Sequence, residues 1–399
     1  EVAKLEVELF RAIREAPEDL FSAFIGRPAF DSARHYLRRP REEARQTMTP
    51  EKEVLAADLD VDGLNAWGRL YNTVSGKLEF DMAHPDGRRE RLPMSQRRSL
   101  MEDPDRRVRR AAFDGGNAAW GTVEDVAAAA LNAISGARLT LNRHRGIDHF
   151  LDVALFQSGI TRRTLDAMLE AIFAELDLPR RILRLKARVM GTEGVSWYDL
   201  GAPMPLPNQE RLPWEEGKAL VLTSFAQAYP ALADFLRLMY DRNWIEWEPR
   251  AGKRPGGFCT GSRLIGESRI FMTYNRAMGD VRTLAHEAGH AFHNHVSRDM
   301  RYYAQYRPMT LAESASTFGE MILTEGNLAD PSVSDAQKAL ILDMETGHGV
   351  IYLMDIPVRY ECEKALYEER AKGEVGVSRL KELMAGTQRR VFGDILEKG

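Results

Sequence analysis

The segment Leu284-Ala285-His286-Glu287-Ala288-Gly289-His290-Ala291-Phe292-His293 decides how the chain is read. It holds good helix formers, no proline and an H-E-x-x-H pattern. On a helix, residues i and i+4 leave one face about a turn apart, so the His286 and His290 imidazoles can converge on a single ion. Glu287, rotated by about 100°, would border that ion without binding it, within reach of a metal-bound water. The apolar flanks Leu284, Ala285, Ala288, Ala291 and Phe292 describe a mostly buried helix. Ionisable groups facing inward from such a helix are costly unless partnered. The bland alternative is an exposed polar face, or core histidines satisfied by backbone.

Working outward, the same helical period recurs along the chain. Thr161 is a plausible N-cap for a stripe of Leu165, Met168, Leu169, Ile172, Phe173 and Leu176, ended before Pro179. Val2 to Ile13 and the alanine-rich stretch from Val123 to Leu141 repeat the pattern. Strand signals are few. Lys77-Leu78-Glu79-Phe80-Asp81-Met82 alternates and meets the turn Pro85-Asp86-Gly87, predicting a hairpin that returns through Arg91-Leu92. A second hairpin is expected between Gly256 and Asn275, with Ile270 to Tyr274 as the strand that holds an extended ligand. The run Pro203-Met204-Pro205-Leu206-Pro207 excludes regular structure. The expected fold class is mainly α, with one lobe over residues 1–115 and a second over 116–399.

Composition narrows the function. The 399 residues carry 55 Lys+Arg against 59 Asp+Glu, a balance that offers nothing to nucleic acid or an anionic membrane. No apolar run is long enough to span a bilayer. Two cysteines, Cys259 and Cys362, cannot build a disulfide framework, which fits a reducing, cytoplasmic setting. The chain opens on Glu1 without a starting Met, so a longer polypeptide is expected.

A catalytic zinc site keeps three protein ligands and a water. The helical stretch Thr310-Leu311-Ala312-Glu313-Ser314-Ala315-Ser316-Thr317-Phe318-Gly319-Glu320 offers the third ligand. Glu313 and Glu320 share a face, so Glu313 can complete His/His/Glu coordination while Glu320 orients an imidazole from behind. Thr310 and Glu313 also fit a capping box. Glu320, Glu325 and Asp299 are less well presented as third ligand. His293 suits a supporting or packing role, and His295 points elsewhere, towards solvent.

The paired motifs H-E-x-G-H and E-x-x-S-x-x-x-E resemble the oligoendopeptidase F branch of the thimet oligopeptidase family. Tyr198-Asp199-Leu200-Gly201-Ala202-Pro203, Gly252-Lys253-Arg254-Pro255-Gly256-Gly257-Phe258-Cys259 and Asp355-Ile356-Pro357-Val358-Arg359-Tyr360-Glu361 agree with it. The resemblance implies a two-lobed helical metallopeptidase with a deep groove that admits short peptides. It assigns one zinc ion to His286, His290 and Glu313, the base role to Glu287 and a supporting role to Glu320. It also implies a segment beyond Gly399 supplying His and Tyr to the transition state; His348 and Tyr352 are no established substitutes. Rival readings are a zinc carboxypeptidase on a similar scaffold and a metal-bound binding protein without catalysis.

Overall fold

The structure, a computed structural model, describes residues 2–205, 211–250 and 257–397. Leu206 and Pro207 of the proline-rich run, and residues 252–256 of the second resembling stretch, lie outside them. Helices account for most of the described chain, as expected of a mainly α protein. No described helix is long and apolar enough to cross a membrane.

The first helix runs Val2–Glu15 and the alanine-rich one Glu124–His144. Thr161 does cap the helix Arg162–Ala174, its hydroxyl accepting from the Thr164 amide at 3.1 Å. One detail differs from expectation: Met168 is exposed. The helix ends before Pro179, as expected, and Pro179 sits buried in the first turn of the next helix, Asp177–Met190. In the first turn a missing N–H costs nothing.

The predicted hairpin forms from β1 (Glu79–Ala83) and β2 (Arg89–Pro93), with Phe80 opposite Leu92. Phe80 and Met82 point from alternate positions of β1 into a small core closed by Ala112 on the helix Arg106–Gly121. That helix runs unbroken through residue 115, the boundary expected between lobes.

Among the described residues the second sheet has three strands, not two. β3 (Ile245–Glu246) pairs parallel to β5 (Glu267–Met272), and β4 (Gly257–Ser262) pairs antiparallel to β5 on its other side. The strand order β3-β5-β4 leaves β5 with both edges occupied, so the expected ligand-holding role cannot fall to residues 270–272. Among the described residues, β4 is an edge strand.

The sheet lies against the helix Met278–Val296, hereafter the histidine helix. Val281, Leu284, Ala285, Ala288 and Ala291 recur at three- and four-residue spacing along it and are all fully buried. They meet Phe225, Leu236, Met272 and Leu323 in the largest core. Behind them crosses the helix Met309–Ala329, hereafter the carboxylate helix. Two glycines permit a backbone-to-backbone crossing. A Cβ on Gly289 would lie 2.3 Å from the Ala315 carbonyl oxygen, and one on Gly319 would lie 2.6 Å from that of Ala285. That closeness brings the side chains on either side of the crossing together.

Candidate metal centre

Between these helices the structure brings His286, His290 and Glu313 into one cluster. Glu313 Oε2 lies 3.3 Å from His286 Nε2 and 3.3 Å from His290 Nε2. Bonds of 2.0–2.1 Å in a tetrahedral zinc site require ligand atoms roughly 3.3 Å apart, the spacing of Glu313 from both imidazoles, and all three atoms lie within 4.8 Å of one another.

Neighbouring groups hold each of the three side chains in place. His286 Nδ1 is 2.7 Å from Glu320 Oε1, which leaves Nε2 as the lone-pair nitrogen facing the cluster. His290 hydrogen-bonds the Ala312 backbone, and burial, aided by nearby Arg307, outweighs Glu313 to lower its pKa. A neutral imidazole is the form that ligates. Ser316 Oγ donates to Glu313 Oε2 at 2.8 Å, from the next turn of the carboxylate helix.

The capping alternative for Glu313 does not hold. Pro308, not Thr310, occupies the N-cap position, and the Thr310 hydroxyl donates to the Ser158 carbonyl at 2.6 Å. Of the rival third ligands, Glu325 is exposed, Asp299 pairs with Arg298, and Glu320 is taken by His286 and Arg282.

Glu287 is 5 % exposed and faces β4, where the Cys259 backbone hydrogen-bonds its carboxyl. Burial pushes the Glu287 pKa up, and Glu313 adds to it. Such a shift moves a carboxyl towards the range useful for proton transfer near neutrality. Cys259 itself is no rival nucleophile, since burial pushes its thiol up to about 12.

His293 stays outside the cluster with its Nδ1 buried and unpartnered, and burial lowers its pKa. His295 departs from expectation: it is half-buried and packs with its ring tilted against Phe235, ring centroids 4.4 Å apart. His348 lies against Arg282, and Tyr352 beside it is half exposed on a π-helical turn, Ile351–Asp355. Arg282 escaped the sequence reading altogether. It is 7 % exposed, its Nη2 donates to Glu320 Oε2 at 2.6 Å, and its Nη1 lies 3.5 Å from Glu345. The available signal was spacing alone, four residues ahead of His286 on the same face.

The chain is similar to known peptidases. Residues 229–398 match Peptidase family M3, and residues 13–80 match Oligopeptidase F. An oligoendopeptidase F homolog of Lactococcus lactis subsp. lactis (strain IL1403) is 29% identical over 310 residues, covering 75% of this chain and 48% of that protein. Oligopeptidase PepF of Bacillus subtilis (strain 168) is 24% identical over 338 residues, covering 82% and 49%. The chain thus spans about half the length of the curated relatives it matches. The crystal structure of oligoendopeptidase-F from Enterococcus faecium superposes with a TM-score of 0.71 at 19% identity, covering 99% of this chain and 65% of that one.

Proposed function

We propose, from the premise that this chain belongs to the oligoendopeptidase F branch of peptidase family M3, that its protein is a zinc-dependent endopeptidase of short peptides. The observation that carries the reading is the convergence of His286 Nε2, His290 Nε2 and Glu313 Oε2 beside a buried Glu287. His286, His290 and Glu313 would hold the ion. A bound zinc supplies Lewis acidity towards the scissile carbonyl and acidifies a water.

The chain's own residues do the rest. Glu287 accepts the proton of the attacking water and returns it to the leaving amine. Its elevated pKa, held in check by the Cys259 backbone, suits both halves of that transfer. Glu320 keeps the Nδ1 side of His286 occupied, so that the ring cannot turn away. β4 offers the edge on which an extended peptide would add, replacing the assignment to β5. Backbone recognition of that kind orients the substrate with little side-chain selectivity. The two-lobed division near residue 115 and a cytoplasmic location belong to the same proposal. The latter is supported by the two free cysteines.

Zinc-loaded protein and an internally quenched fluorescent peptide test the reading. Cleavage is expected at internal bonds, and Glu287→Gln is expected to keep its zinc while losing about 10²–10⁴-fold in turnover. Near-parental turnover by zinc-replete Glu287→Gln would remove the glutamate as base. Release of single C-terminal residues would favour the carboxypeptidase reading, and zinc without any turnover the binding reading.

A further inference from the structure

Arg282, His286 and His290 stand one turn apart on one face of the histidine helix. The first of them is buried in the protein interior, where an arginine is costly unless its donors are used. Its Nη2 donates to Glu320 Oε2 at 2.6 Å, and the other oxygen of that carboxylate is 2.7 Å from His286 Nδ1. Its Nη1 reaches towards Glu345, whose Oε1 accepts from Thr324 at 2.8 Å. Thr324 lies one turn beyond Glu320 on the carboxylate helix. Its two terminal nitrogens therefore face groups anchored on that helix or beside it, His348 presses on the same edge, and among the described residues only its buried Nε has no partner.

A carboxylate held only by an imidazole can swing about its side-chain bonds. One gripped from behind by a planar, always-charged guanidinium cannot. We propose that Arg282 is a positioning residue of the metal centre: through Glu320 it fixes the ring of His286 so that Nε2 faces the ion. The inference rests on the metal-centre reading above and goes one residue further back from the ion.

Zinc affinity, measured by competition with a chromophoric chelator, reads this out without turnover. The thermal midpoint of the metal-free protein checks folding. Arg282→Gln is expected to weaken zinc binding by about 10–100-fold, as Glu320→Gln should. The double variant is expected to bind within about twofold of the weaker single variant, because both remove one device. Arg282→Lys, which keeps a cation opposite Glu320, is expected to recover part of the loss. A folded Arg282→Gln within twofold of the parent would overturn the proposal, and so would losses that multiply in the double variant.

Should Arg282→Gln not fold, Arg282→Lys combined with Glu320→Gln carries the test. If the arginine works through Glu320, the lysine changes the affinity of the Glu320→Gln protein by less than about twofold; a larger independent loss contradicts it. A parent that binds no zinc would sink the metal-centre reading and this inference together. A parent that binds zinc as tightly as Arg282→Gln would sink this inference alone.

Discussion

Asp199 and Glu320 are both buried carboxylates gripped by arginine, yet their surroundings differ in charge. Asp199 is fully buried between Arg106 and Arg109, with donors at 2.8–3.2 Å, and also accepts from the Ser196 amide at 3.0 Å. Arg106 extends the knot to Glu397, where residues 195 and 396 form a short parallel bridge. Two guanidinium groups there face two carboxylates, and the account closes. Around the histidine helix, Glu287, Glu313, Glu320 and Glu345 crowd together, and among the described residues Arg282 is the one guanidinium paired with any of them. The first region is a clasp whose charges balance. In the second, lone pairs on three separate side chains converge and negative charge is in excess, which is the electrostatic setting of a cation site.

The comparison can be broken by uncoupling the two regions. Asp199→Ala leaves Arg109 buried without its partner and should cost about 3–5 kcal/mol by denaturant unfolding. The zinc affinity of the folded fraction should not change. A parallel loss of zinc affinity would mean that the two clusters are not independent.

A smaller effect is expected from Gly289→Ala. The added methyl would meet the Ala315 carbonyl, so the helices must part, at about 1–3 kcal/mol. Here zinc affinity should fall as well, since parting them carries Glu313 away from the histidines. Stability loss with undiminished zinc affinity would show that the crossing does not set the ligand spacing.

The smallest effect concerns acid. Burial would raise the Asp199 pKa, but hydrogen bonds from Arg106, Arg109 and the Ser196 amide outweigh it and hold the carboxyl below its usual range. A group depressed in the folded state contributes stability that is full above its unfolded pKa of about 4 and fades as pH falls through the folded value. Asp199→Asn should therefore flatten the fall in thermal midpoint below pH of about 4. An unchanged acid slope would assign that fall to other carboxylates.

Much of this was legible in the residues. The histidine helix, the Glu313 stretch and the first hairpin carry their own periods, so local pattern and final structure coincide. What escaped depends on partners distant in sequence. β3 has two residues, too few to show any alternation, and exists because β5 offers it an edge. That β5 is central and β4 the edge follows from this third strand. Arg282 looks like any solvated helix charge until Glu320 and Glu345 are folded against it. Tyr198-Asp199, quoted among the resembling segments, proves to be part of the clasp, since Asp199 spends its whole carboxylate on structure.

The cluster's chemistry is tested most directly by zinc stoichiometry at equilibrium dialysis, for the parent and for His290→Ala and Glu313→Ala. One zinc per parent chain is predicted, with none retained by the histidine variant and sharply weakened retention by the glutamate variant. A parent that emerges without zinc, or variants that hold it as the parent does, would contradict the account.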